Sequence, residues 1–252
     1  MTVACLLPVR NGEGDLPGWL ASAARVADLV VALDDGSTDA TAALLHQSPL
    51  VQRVLANPVR PTAHGWHDGE NRNRLLRALD DVRPDWVLWL DADDRLAPDD
   101  AAALRAFLAG DALPGLAYGF PYLRMWQEPG GPPRHDPVAT AVWRLFSWEP
   151  GQRLTSLQNH NLPLPVGLPE ACRVLTTVRI QHWGVADPER WAARQEKYRQ
   201  ATGPGERIPT DFGGLDGEGS AAWPAWQPRP AGLPVLAAEV GLDTGAWERA
   251  GS

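Results

Sequence analysis

Leu29-Val30-Val31-Ala32-Leu33-Asp34-Asp35-Gly36-Ser37-Thr38-Asp39-Ala40-Thr41 decides the fold. An apolar run of strand length stops abruptly at two carboxylates and a glycine. Ser37, Thr38 and Asp39 then offer side-chain oxygens that cap a helix through Thr41 to Leu45. A strand that is apolar without alternation is buried on both faces, as in a parallel sheet covered by helices. The same unit recurs on either side. Val3 to Val9 is an apolar run followed by Asp15 and Pro17, which suit a helix start, with Leu16, Leu20, Ala24 and Ala27 on one helical face. Val54 to Ala56 reads as a third strand, and Leu75, Leu76, Leu79 and Val82 as an amphipathic helix ending before Pro84. Trp86 to Leu90 is a fourth strand, and it too stops at carboxylates, Asp91, Asp93 and Asp94, before Pro98-Asp99-Asp100 opens the next helix. In such sheets ligands sit at the carboxyl ends of the strands, and both acid clusters fall at that edge.

Beyond residue 110 the pattern changes. Leu116 to Leu123, Val138 to Trp148 and Val174 to His182 read as longer strands, separated by Gly- and Pro-rich loops at Glu128 to Pro137 and Pro163 to Pro169. Asp187-Pro188-Glu189 starts a helix through about Ala201. Gly, Pro and Trp dominate from Thr202 onward, either as a wrapped extension or as a flexible one. The expected organisation is an α/β half over 1–110, a mixed-strand half of the same domain over 111–201, and an extension over 202–252.

Composition narrows the function. The 252 residues carry a formal net charge of −8, which disfavours non-specific nucleic-acid binding, since that needs a surplus of cations. Two cysteines, Cys5 and Cys172, exclude a disulfide framework. No signal peptide or integral membrane segment is legible, so a cytoplasmic protein is expected. Twelve tryptophans serve equally well as core filler or as stacking surfaces. Trp66, Trp126, Trp143, Trp148 and Trp183 are candidates for an acceptor groove, and at most two or three of the twelve are expected to act so, the rest being core.

Clustered carboxylates are unfavourable without a cation. A hard divalent ion such as Mg²⁺ or Mn²⁺ relieves the repulsion, takes oxygen ligands and leaves places for phosphates. The expectation is that acids at the two strand tips grip one such ion. His64 and His67 near Asp68 and Glu70 fit no zinc spacing and read as a loop.

Leu7-Pro8-Val9-Arg10-Asn11-Gly12-Glu13, the Asp34-Asp35 motif, Arg72-Asn73 and Leu90-Asp91-Ala92-Asp93-Asp94 resemble, in order and spacing, the successive motifs of family 2 glycosyltransferases with the GT-A fold. Gln181-His182-Trp183-Gly184 resembles the histidine-plus-helix ending of many bacterial members, so the resemblance covers about residues 1 to 200. It implies a Rossmann-like, mainly parallel sheet flanked by helices, with a mixed-strand acceptor half. It implies that Pro8, Arg10 and Glu13 line the nucleoside, that Asp35 reads the base with support from Asp34, and that Arg72 and Asp91 lie by the nucleotide. Asp93 would ligate Mn²⁺ or Mg²⁺ and His182 would be a further metal or phosphate contact. The donor would be a nucleoside-diphosphate sugar, UDP- ahead of GDP-, and the acceptor a saccharide, a lipid-linked molecule or a small molecule.

The general base is the departure. Where similar bacterial enzymes place an acid, in the stretch matching Asn159-His160-Asn161, this chain has Asn161. Asp136, Glu149 and Asp211 remain as candidates, with Asp136 in the right part of the chain. Two other readings stand beside an inverting glycosyltransferase. One is an aspartyl-nucleophile phosphotransferase or phosphatase, which needs a downstream lysine where only Lys197 exists. The other is a non-catalytic nucleotide-sugar or carbohydrate binder on the same scaffold.

Overall fold

The computed structural model describes residues 1–59, 67–128, 130–137, 140–156, 162–186, 189–190, 192–193, 195–196 and 223–236. Along these the elements are β1 (Val3–Val9), α1 (Leu16–Ala23), β2 (Leu29–Asp34), α2 (Thr41–Gln47), β3 (Val51–Ala56), α3 (Asp68–Arg77), β4 (Trp86–Trp89), β5 (Asp94–Leu96), α4 (Pro98–Gly110), β6 (Ala117–Trp126), β7 (Arg134–His135), β8 (Thr140–Ser147), β9 (Arg173–Leu175) and β10 (Ile180–His182).

The unalternating apolar strands do what their composition requires. Val3, Cys5, Leu7 and Val9 of β1 pack on one face with Leu16 and Trp19 of α1 and Leu104 and Phe107 of α4. Ala4 and Leu6 point the other way, toward Leu75 and Leu76 of α3 and the nearby Leu79. β2 divides likewise, Val30 and Ala32 to one side and Val31 and Leu33 to the other. The sheet runs β3-β2-β1-β4-β8-β6-β10-β5, with β7 and β9 attached to β6. β1 to β4 are parallel, β8 lies antiparallel between β4 and β6, and β6 runs parallel to β9 and β10. This is the mainly parallel, helix-flanked α/β layout that the sequence leads one to expect.

Three expectations are corrected. The strand expected from Val174 to His182 is two short strands, because Thr177 leaves the ladder with β6. Thr176 N–H donates to the Gly119 carbonyl, and Thr177 N–H donates to that of Val235. Asp94, expected as a structural turn or loop acid, forms with Arg95 and Leu96 the strand β5, antiparallel to β10. Arg134–His135, inside an expected loop, pairs with Met125 and Trp126. Residues 223–236 lie across this region: Trp223 packs on Trp126 and Val185, and Arg229 reaches Asp100 and Thr177.

Candidate active site

The parallel register sets Pro8 beside Leu33 and Val9 beside Asp34, so the β1 and β2 tips meet. They are stitched together. Asn11, in the left-handed region at φ 49°, donates its N–H to Ser37 Oγ at 2.9 Å and accepts from Thr38 N–H at 2.8 Å. Glu13 accepts from Ala40 N–H at 2.9 Å. Asp34 closes the turn by accepting from Ser37 N–H at 3.0 Å, with Gly36 at φ 73°. Asp35 donates its N–H to the Val9 carbonyl, and its carboxylate accepts from the Asn57 amide. Asn57 in turn donates to Asn71 Oδ1 at 3.0 Å and accepts from Arg74. Pro8, Arg10, Glu13, Asp34 and Asp35 therefore converge at one edge.

β1 runs between β2 and β4. The two acid tips are thus about 9–10 Å apart, two strand spacings, rather than on adjacent strands. The expectation that both tips share one ion is corrected: among the described residues the group able to hold a metal is Asp93, Asp94 and His182, whose donor atoms lie within 4.8 Å of one another. The β10–β5 register places His182 opposite Asp94. His182 Nδ1 is 3.1 Å from Asp94 Oδ1 and 3.7 Å from Asp93 Oδ1. Asp94 and His182 are buried. Tyr122, from β6, donates to Asp94 Oδ1 at 2.9 Å and lies 2.6 Å from His182 Nδ1. Burial and then the charges of Asp94 and Asp93 push its phenol well above the ordinary tyrosine range, so it stays a donor.

Asp91 has a different environment. Arg72 Nη2 donates to its Oδ1 at 2.9 Å and Arg144 Nη2 to its Oδ2 at 2.7 Å. Burial alone would raise its pKa, but the Arg144 and Arg72 guanidiniums outweigh this and hold it well below the usual carboxylate range. Arg72 also grips Asp68 through Nε and lies 5.3 Å over the Trp89 ring. Arg144 stands 3.6 Å from Asp94 and 6.0 Å over the Tyr122 ring.

Asp136 is buried, with Arg124 donating to its Oδ2 from Nε at 2.8 Å and also from Nη2. Arg124 is in register with His182, so both side chains leave the same face of the sheet. Glu149 is not in the site. It follows β8 at the opposite edge, where Ser147 pairs with the first residue of β4 and Trp148 N–H bonds the Asp85 carbonyl. His67 caps α3 by accepting from Glu70 N–H, Asp68 serves Arg72, and Glu70 pairs with Arg77, so Asp68 and Glu70 form the first turn of α3 rather than a loop. Trp143 and Trp148 pack against the core. His64, Trp66, Asn159, His160, Asn161, Asp187 and Asp211 lie outside the described residues.

Sequence reading missed Arg144, Tyr122, Asn57 and the engagement of Asp94 with the metal group. Arg144 had a signal: a guanidinium inside the apolar run Val142 to Phe146 needs a buried carboxylate. A cleft of about 580 Å³, bounded by Gly18, Arg95, Gln181, Trp183 and Trp226, is a separate feature. Arg95 and Gln181 alternate with Asp94 and His182, so it opens on the other face of β5 and β10.

The uncharacterized proteins Rv3786c of Mycobacterium tuberculosis and Mb3815c of Mycobacterium bovis are each 31% identical over 208 residues, covering 79% of this chain and 50% of theirs. The chain thus spans about half the length of the curated relatives it matches. Among solved structures, S. aureus TarS is 22% identical with a TM-score of 0.36, over 50% of this chain and 22% of its own. Glucosyl-3-phosphoglycerate synthase from Mycobacterium tuberculosis, solved with Mn²⁺, UDP and glucosyl-3-phosphoglycerate, is 26% identical with a TM-score of 0.34, over 49% of this chain and 44% of its own. A sequence model described as Glycosyl transferase family 2 matches residues 5–155, well over half the chain, and takes in the β1, β2, α3 and β4 motifs assembled above. The chain belongs to glycosyl transferase family 2.

Proposed function

We propose that this protein transfers a sugar from a nucleoside-diphosphate sugar, UDP- ahead of GDP-, to an acceptor hydroxyl with inversion, assisted by Mn²⁺ or Mg²⁺. The observation that carries this is a cluster of donors: Asp93, Asp94 and His182 offer carboxylate and imidazole atoms within 4.8 Å of one another at the end of β4, where acids crowd and a hard divalent ion relieves their repulsion. The oxygen and imidazole donors present suit such an ion. Asp93 and His182 would hold it, and when bound it supplies Lewis-acid stabilisation of the departing diphosphate. Pro8, Arg10 and Glu13 border the nucleoside, Asp35 supported by Asp34 reads the base, and Asp91 with Arg72 forms the floor beneath the diphosphate. Asp136 takes the proton of the acceptor hydroxyl as its oxygen bonds to the anomeric carbon and the bond to the diphosphate oxygen breaks.

The test is calorimetric titration with UDP and GDP, with and without Mn²⁺. Metal-assisted binding of one nucleotide is expected, and Asp93→Asn abolishes the metal's contribution without unfolding the protein. No metal-assisted binding of either nucleotide sinks the reading. A non-catalytic binder is the second reading, favoured by Asp136 being buried against Arg124. Nucleotide binding without donor hydrolysis or transfer across a broad acceptor screen selects it.

A further inference from the structure

We propose that Asp94 and Tyr122 are positioning residues: they commit His182 Nδ1 and its proton, so that Nε2 is the nitrogen, and Asp93 the carboxylate, that take the divalent ion. This rests on the metal reading above and divides the labour among donors that the motif alone treats as equivalent.

Asp94 is fully buried, and both its oxygens are engaged. Oδ2 accepts from Asp91 N–H at 3.1 Å, while Oδ1 lies 2.9 Å from Tyr122 Oη and 3.1 Å from His182 Nδ1. A carboxylate oxygen and an imidazole lone pair at that separation repel. Placing the proton on Nδ1 removes the repulsion, and this assignment follows from the network. Tyr122 completes it. Its O–H donates to Asp94 Oδ1, and its oxygen, 2.6 Å from Nδ1, accepts from the imidazole. The tyrosine ring stacks on the imidazole with centroids 4.9 Å apart and planes 30° apart, which fixes the ring's plane. An imidazole tied this way has its remaining lone pair on Nε2, the usual outer arrangement of a metal-binding histidine. Asp91 is withdrawn by its two arginines, one on each oxygen. Asp93 keeps 20% of its side chain exposed.

The experiment reads the histidine nitrogen directly. The full chain is prepared with histidine labelled with ¹⁵N at Nε2 alone or at Nδ1 alone and loaded with Mn²⁺, with and without UDP. Pulsed electron paramagnetic resonance is expected to show the strong directly bonded coupling with the Nε2 label, lost in His182→Gln. Strong coupling with the Nδ1 label overturns the proposal and makes Asp94 a ligand. In parallel, Tyr122→Phe is expected to weaken Mn²⁺ binding by about tenfold, beyond the modest fall in urea midpoint that loss of a hydrogen bond to the buried Asp94 brings by itself. A variant that shifts the midpoint but binds Mn²⁺ like the wild type shows a merely structural tyrosine and also overturns it. Failure of the wild type to take up Mn²⁺ under either condition refutes the metal reading itself, a result distinct from Nδ1 coordination.

Discussion

Arg144→Met removes one of the two guanidiniums on Asp91 and one that stands 3.6 Å from the fully buried Asp94. A unit-charge pair at 4 Å is worth about 4 kcal/mol at an effective dielectric constant of 20. Deleting one partner of a fully buried pair costs about 3–5 kcal/mol. Two features reduce this. Asp91 keeps Arg72, and its side chain is 29% exposed. Relief of the like charge between Arg72 and Arg144 reduces it further. The expected loss is about 2–4 kcal/mol at pH 7, and the melting temperature falls by roughly 5–12 °C for a chain of this size. The pH dependence has a definite sign. The folded-state pKa of Asp91 is depressed, so its stabilisation is present above the unfolded-state value and is lost as pH falls. The gap between wild type and variant therefore narrows only as pH falls through the range in which the variant's Asp91, held by Arg72 alone, takes up its proton while the wild type's stays ionised. Urea unfolding at a series of pH values measures both effects. A loss under about 1 kcal/mol at pH 7, or a gap that widens toward acid, refutes the charge argument.

Asp136→Asn is expected to lower the transfer rate by about 10²–10⁴-fold with nucleotide affinity intact, and a rate within about threefold of wild type removes it as the base. Gly119→Ala puts a Cβ 2.7 Å from two Trp143 ring atoms and 2.8 Å from Leu175 Cδ2, which should cost about 1–3 kcal/mol in urea unfolding; unchanged stability means the sheet opens there more easily than its packing suggests. Arg229 bonds Asp100 Oδ1 at 3.3 Å, the Thr177 carbonyl at 2.8 Å and the Leu233 carbonyl at 2.9 Å. Arg229→Ala should speed amide exchange at Thr177 by about tenfold or more, and unaltered exchange shows that other contacts hold residues 223–236.

The α/β part was legible because its signals are local. An apolar run that ends at Asp34-Asp35-Gly36 carries its strand and its turn within a dozen residues, although α2 starts after Ala40 with no side-chain cap. The Trp86 run ends at Asp91 as sharply, but β5 follows it and α4 starts after Ala97 with no side-chain cap. The second part was less so. The strand expected from Val174 to His182 breaks because Thr177 bonds Val235, 58 positions away, and no local pattern records that. Asp94 was read as a structural acid, and half of that reading holds. It does cap a turn through Asp91 N–H, yet it also faces His182, because β5 is a strand only by pairing with β10.

Residue order alone determined which strands are buried on both faces, where they end, and that acids crowd those ends. Each of these follows from hydrophobicity and turn chemistry acting over a few neighbouring residues. Which acids share a point in space was decided only on folding. Asp91 meets Arg144 across 53 residues and Asp94 meets His182 across 88. A buried charge demands a partner, but desolvation does not say which one. The strand order that interposes β1 between the two acid tips, and brings β10 against β5, makes that choice.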